Sequence, residues 1–260
     1  MLFGKGSITV KKFRIALGAL AALLLVAGAT AQTQSNPVPA GTGGTPLPRF
    51  GLGVGAGTLG AGIQAATAVA RRTNIRGGFN YFPYNLSGTG NGLSYSGKLR
   101  LESAELLVDE YLAGPLHISA GALVYNGFQA TGSVNVPGGQ TFTLNGTTYF
   151  SEATNPVTGT GAVTVRKAAP EVLFGLGNLL PRGHRHFGVN FDLGVVFQGS
   201  PSALLNLNGS TCVTPLGGCS AISANSTVQA NIAAEQNKIN KDLKPFGFYP
   251  VLRITFGSKF

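Results

Sequence analysis

The 260-residue sequence predicts an all-β protein, an antiparallel transmembrane β-barrel of eight strands with one helix before the last strand. Three observations carry this reading. First, runs of strict two-residue alternation recur along the chain, as half-buried strands require. In "HFGVNFDLGVVFQG", Phe187, Val189, Phe191, Leu193, Val195 and Phe197 share one face. Second, the opposite face of that run holds Gly188, Asn190, Asp192, Gly194 and Gln198, with Val196 the exception. Small and polar residues of this kind suit a narrow closed interior, with the apolar face turned outward into lipid. Third, the connections alternate in length. "ARRTN", "LAGP" and "LLPRGHR" are short, whereas "PYNLSGTGNGL", 129–161 and 199–245 are long. Short turns at one end and long loops at the other are the pattern of a membrane barrel.

In chain order, Lys5, Lys11, Lys12 and Arg14 precede the apolar stretch "IALGALAALLLVAG" and the small-x-small "ATA". This is the form of a secretory signal peptide over 1–31, with cleavage expected after Ala31. The apolar stretch is short for a bilayer span of ~20 residues. Residues 32–48, "QTQSNPVPAGTGGTPLP", read as a Pro/Gly-rich periplasmic linker, and 49–260 as the barrel. Removing the signal leaves 15 basic against nine acidic residues, a charge of +6. That excess is scattered and lacks the basic, aromatic-interleaved patches of a nucleic-acid binder.

Strands are expected at about 48–57, 60–70, 73–84, 95–111, 115–130, 162–177, 185–199 and 246–260. The first two divide "FGLGVGAGTLGAGIQAATAVA" around "TLG", which keeps the count even. In the run 95–111, Leu99 and Leu101 are taken as outward, and Lys98, Arg100 and Glu102 as inward. That register would drive Glu105 and Asp109 into lipid, so a β-bulge near Ser103 is expected to turn both acids inside. "STVQANIAAEQNKINKDLKP" predicts a helix over 227–243, with Ser226 and Gln229 spaced as a capping box. Its narrow apolar stripe suggests that it leans on the barrel rim or covers the mouth. Cys212 and Cys219, in "TCVTPLGGCS", read as a loop disulfide of an exported protein. No further ligand stands near enough to suggest a metal.

The ending "FYPVLRITFGSKF" resembles the C-terminal strand of bacterial outer-membrane β-barrels. "RGGFNYF", "YSGKLRLESAELLVDEY", "ISAGALVYN" and "FDLGVVFQGSP" extend the likeness to small, OmpA/OmpW-like barrels of Gram-negative bacteria. The resemblance implies residence in the cell outer membrane, among its lipid and lipopolysaccharide. It also implies delivery by periplasmic chaperones and insertion by the barrel-assembly machinery. On that likeness, Phe260 is the terminal aromatic of the assembly signal, and Ile254 and Phe256 are its outward partners.

Chemical motifs give way to simpler readings. Gly55-Ala56-Gly57-Thr58-Leu59-Gly60 matches G-x-G-x-x-G, but the offset for a ribose-binding acid falls near Asn80. His117 and Ser119 form the H-x-S seen in lipid-cleaving outer-membrane enzymes, yet no acid lies on that run to orient the imidazole. His184 and His186 lack a third ligand nearby. Arg76, Lys98, Arg100, Glu102, Glu171, Asp192 and Arg253 are expected in the lumen as a structural ion-pair network, since a barrel of eight strands is narrow enough for side chains to fill. The expected function is a non-catalytic outer-membrane protein without cofactor, structural or presenting its long loops. The alternative is a small pore or a binder of an apolar ligand.

Overall fold

A computed structural model describes residues 50–90, 92–181, 185–214 and 217–260. The expected signal peptide, linker and His184 lie outside the described residues. In chain order the strands are β1 (Gly51–Gly57), β2 (Gly60–Ala68), β3 (Thr73–Gly90), β4 (Leu93–Ala113), β5 (Leu116–Asn126), β6 (Gln129–Val136), β7 (Thr141–Leu144) and β8 (Thr147–Ser151). They continue as β9 (Val157–Thr164), β10 (Ala169–Gly177), β11 (Phe187–Val196), β12 (Ser202–Asn208), β13 (Ser210–Thr214) and β14 (Gly217–Ala221), and after helix α1 (Ser226–Leu243) the chain ends in β15 (Tyr249–Lys259).

Eight strands close a ring in the order β1-β2-β3-β4-β5-β10-β11-β15. β15 pairs with β1, from Gly51 opposite Lys259 to Gly57 opposite Arg253, so the ring has no free edge. The start of β1, the end of β15, the turns 69–72 and 114–115, the end of β10 and the start of β11 share one end, here called the terminal end. The turn at Thr58 and Leu59, the β3–β4 hairpin and the two long excursions lie at the distal end. Val54, Ile63, Phe79, Leu106, Phe174 and Phe256 are exposed on the outside, whereas Arg76, Glu105, Asp109, Asp192 and Arg253 are buried inside. An apolar exterior around a polar interior is the arrangement a lipid solvent imposes on a barrel. No helix among the described residues is long and apolar enough to cross a membrane.

The two excursions are not loops. The distal half of β4 pairs with β6, β6 with β9 and β9 with β12, extending the wall beyond the ring. A second sheet runs β14-β13-β8-β7. The expected strands 115–130 and 162–177 therefore each span a break. At Gly127 and Phe128 the chain leaves the ring, and it returns between Thr164 and Ala169. Hydroxyl- and glycine-rich alternation, as in "GTGAV", has the composition of a loop but the period of a strand. The hairpin β7–β8 turns on Asn145 (φ 47°) and Gly146 (φ 82°), the left-handed pair that a two-residue hairpin favours. Cys212 and Cys219 face each other across β13 and β14 and are disulfide-bonded.

Helix α1 neither plugs the barrel nor stands apart. Val228 and Ile232 are buried with Val136, Leu144, Tyr149, Val157 and Ile222 in a core belonging to the distal head. Gln236 and Asn240, one turn apart, accept hydrogen bonds from the backbone N–H groups of Leu205 (3.0 Å) and Ala203 (2.7 Å). These are alternate residues of edge strand β12, so the helix satisfies an edge that would otherwise template further pairing. The cap is Asn225 rather than Ser226. Its side chain accepts from the N–H groups of Thr227 and Val228, and asparagine caps at least as well as serine. Gln229 instead donates to the Ile222 carbonyl.

Strand β4 corrects the expected register. Its odd residues face inward without interruption from Leu99 to Tyr111, so Glu105 and Asp109 lie inside with no bulge in β4 over that stretch. The register against β5 does shift between Ala104 and Glu105, and the extra residue is Val124 of β5. That residue turns both Leu123 and Asn126 inward, as an extra residue in a bulged strand does.

Candidate functional site: the ionic core of the barrel

Alternation places one inward side chain every second residue, and ring closure brings opposite walls together. β3 and β11 stand opposite one another in the ring, as do β4 and β15. Arg76 reaches across from β3 to Asp192 of β11, with Nη1 to Oδ2 at 2.6 Å. It also donates to Asp109 of β4 at 3.0 Å and to Ser119 of β5 at 3.1 Å. Arg253 reaches from β15 to Glu105 of β4 and donates to Asp192 from Nη2 at 3.0 Å. Asp192 is thus the shared acceptor of both guanidiniums. Gln64 donates to Glu105 at 2.9 Å, Asn190 to Asp192 at 2.9 Å, and Thr255 to Gln64 at 3.2 Å. Two diametric bridges and their satellites tie the walls into one unit. Buried charges persist only when paired and hydrogen-bonded in this way.

The side chains of Arg76 and Asp192 are 0% exposed and that of Arg253 is 3% exposed, so the cluster is closed off from solvent. Apolar layers cover the cluster at both ends. Distally, Leu59, Leu101, Leu123, Leu173, Val196 and Val251 pack together. At the terminal end, Leu179 and Leu180 of the turn after β10 fold inward against Ala66. Gly53 and Gly257 make room for Leu179, since a Cβ at either would fall within 2.6 Å of its Cδ1.

Of the residues expected in the lumen, Arg76, Asp192 and Arg253 join this cluster. Glu171 is inside and fully buried, but neither carboxylate oxygen has a hydrogen-bond partner. Lys98, Arg100 and Glu102 do not join it. They occupy even positions of β4, on the outer face, where Arg100 and Glu102 form an exposed pair at 3.5 Å. The pattern misleads because this part of β4 lies beyond the apolar belt, where polar residues face out. Glu105 and Asp109, expected to turn inside, belong to the cluster, as do Gln64, Asn190 and Thr255, which the expected ion-pair set did not name.

The H-x-S pair is also inside and fully buried. The Ser119 hydroxyl donates to Asp109 at 2.7 Å and accepts from Arg76. His117 Nε2 faces Asp192 at 3.4 Å, with its ring filling the space over Gly175, where a Cβ would lie 1.9 Å from Nε2. The imidazole thus lies beside a carboxylate rather than the Ser119 hydroxyl, and both groups are buried. The G-x-G-x-x-G segment is β1 and its turn, with Gly57 paired to Gly60. Ile254, Phe256 and Phe260 all point outward, exposed by 41%, 54% and 76%.

No protein-family model matches the sequence, and no curated protein matches it. Among solved structures, Acinetobacter baumannii CarO2 is similar over 83% of this chain and 100% of its own, with a TM-score of 0.52 and 20% identity. Acinetobacter baumannii CarO is similar over 82% of this chain and 98% of its own, with a TM-score of 0.51 and 20% identity. At this identity the likeness is one of fold. It supports the barrel and not the narrower OmpA/OmpW-like grouping.

Proposed function

We propose that this chain is an integral outer-membrane protein of a Gram-negative bacterium that neither conducts nor catalyses. The barrel is a closed peg that holds a folded sheet-and-helix head outside the cell. The observation that carries this reading is the ionic core, whose arginines and shared aspartate have almost no accessible surface and are covered by leucine layers at both ends. A pore, or a chamber for an apolar ligand, would need the space those side chains occupy. On this reading the terminal end is periplasmic and the head extracellular, as short turns and long excursions are disposed in such barrels. The outward Ile254, Phe256 and Phe260 are then the groups offered to the assembly machinery after export and chaperone escort.

The test is electrical. Purified, refolded protein is added to planar bilayers, and the current is recorded over a range of voltages. A flat baseline is expected from protein that shows a heat-dependent shift in gel mobility. Steady unitary currents from the same sample would sink the reading and restore the pore.

A further inference from the structure

The outer face of the distal sheet differs from the barrel wall beneath it and from an ordinary solvated sheet. Five strands, β3-β4-β6-β9-β12, run side by side there. Register aligns Ser87, Ser96, Ser133, Thr160 and Asn206 across all five. The row nearer the membrane is Asn85, Lys98, Thr131, Ala162 and Leu204. Nearer still, Arg100 stands opposite Pro83 and Gln129. No carboxylate occupies the outward positions of this face between Arg100 and the distal edge. A solvated surface ordinarily mixes charges of both signs. Here hydroxyls and amides, each able to donate and accept, stand above two cations. A shallow trough of about 450 Å³ crosses the face, lined by Lys98, Thr131, Ser133, Thr160, Ala162 and Asn206 among others.

This face is continuous with the apolar belt. The outward row of β4 runs from Val108 and Leu106 up through Ala104 and Glu102 to Arg100, Lys98 and Ser96, and that of β3 from Phe79 and Tyr81 to Asn85 and Ser87. A molecule whose chains lie against the belt would carry its headgroup up this same face. We propose that the face binds the headgroup of a phosphorylated glycolipid of the surrounding leaflet, with Lys98 and Arg100 on its phosphates and the hydroxyl and amide rows along its sugars. Arg100 remains available, since its side chain is 50% exposed and its contact with Glu102 is a surface pair of little strength. This inference rests on the membrane placement proposed above.

The test uses the full refolded protein in detergent, with native mass spectrometry reading bound lipid. The probes are rough lipopolysaccharide, the same material after phosphatase treatment, and phosphatidylglycerol. Replacing both Lys98 and Arg100 by Ala is expected to weaken lipopolysaccharide binding roughly thirtyfold, several-fold for each cation at a membrane surface. Phosphatase treatment should produce a similar loss on the native protein and little further loss on the variant. Thr160→Asp, which places an acid on the hydroxyl row, should weaken binding while leaving the heat-dependent mobility intact. Unchanged affinity in the double variant would overturn the inference and leave the membrane reading standing. Phosphatidylglycerol binding as tightly as lipopolysaccharide would overturn the role of the sugar rows. A native protein with no heat-dependent mobility would instead bring down the membrane reading itself.

Discussion

The barrel and the distal head are built from the same alternating strands with the opposite sense. In the barrel the polar row faces in and the apolar row faces out. In the head, Val136, Leu144, Val157 and Ile222 are buried inside while Ser96, Ser133 and Thr160 face out. Strand β4 passes through both regions and shows where the sense inverts. Its inward row reads Asp109, Leu107, Glu105, Ser103, Leu101, Leu99, and its outward row reads Val108, Leu106, Ala104, Glu102, Arg100, Lys98. Neither row changes face. On the membrane placement proposed above, what changes is the solvent outside the strand, lipid below and water above, and the residue types exchange accordingly. The interior follows its own logic, because paired charge is tolerated where the ring brings partners across and leucine fills the space where it does not.

The largest test of this contrast is Asp192→Ala. It removes the acceptor shared by Arg76 and Arg253 and leaves two guanidiniums buried with too few partners. Breaking one partner out of a buried network costs about 3–5 kcal/mol. The barrel should lose its cold-detergent mobility at much lower urea than the native protein. A native midpoint would mean that the cluster is incidental to the barrel. Ile232→Ala should act on the other region. Truncating a buried isoleucine costs about 2–5 kcal/mol, and here the loss should fall on the head. Hydrogen exchange should rise in β12 and β13 while the amides of β2 and β15 keep their protection. Equal loosening of both regions would show that barrel and head are one cooperative unit.

The same inversion explains what the sequence yields and what it withholds. The ring strands are legible from their apolar outer rows, although the division of the first two rests on an even count and the expected strands 115–130 and 162–177 run past the ring. The inward placement of Arg76, Asp192 and Arg253 is readable for the same reason, since β3, β11 and β15 alternate cleanly through the belt. Lys98, Arg100 and Glu102 are misassigned because the rule that polar residues face inward holds only within the belt. Nothing in the local sequence of β4 marks where the belt ends. The head is hidden by composition. Runs such as "SALLNLN" and "VTGTGAVT" alternate, but apart from Leu204 and Ala162 their outward rows are Ser, Thr and Asn, the residues of loops. One signal was available and unused: Asn145-Gly146 between "TFTL" and "TTYF" is a strong short-range hairpin marker.

A smaller effect sharpens the picture of the head. Replacing Gln236 and Asn240 by Ala removes the acceptors for the Leu205 and Ala203 amides at the edge of β12. A hydrogen bond of this type contributes about 1 kcal/mol, and water can replace part of it at an exposed edge. Faster exchange is expected at those two amides, with little change at Val228 or Ile232 in the helix. If the whole helix loosens instead, the two amides are its principal attachment and the apolar contacts are secondary.

The smallest expected effect separates two buried carboxylates of one lumen. Asp192 and Glu171 lie on neighbouring strands, β11 and β10, and both are fully buried. Asp192 is held by two arginines and an asparagine, whereas both oxygens of Glu171 lack a hydrogen-bond donor. Burying a polar group without a partner is unfavourable whatever its ionisation. Its neighbour along the inward row is Leu173, part of the distal leucine layer. Glu171→Leu should therefore leave the urea midpoint within about 1 kcal/mol of native, or raise it, since apolar groups often replace poorly compensated buried polar ones without loss. Glu171→Gln should act similarly, because the volume is kept. A large loss in both variants would mean that Glu171 is bound into the ionic core after all, and that the boundary between the paired layer and the leucine layer lies further toward the head.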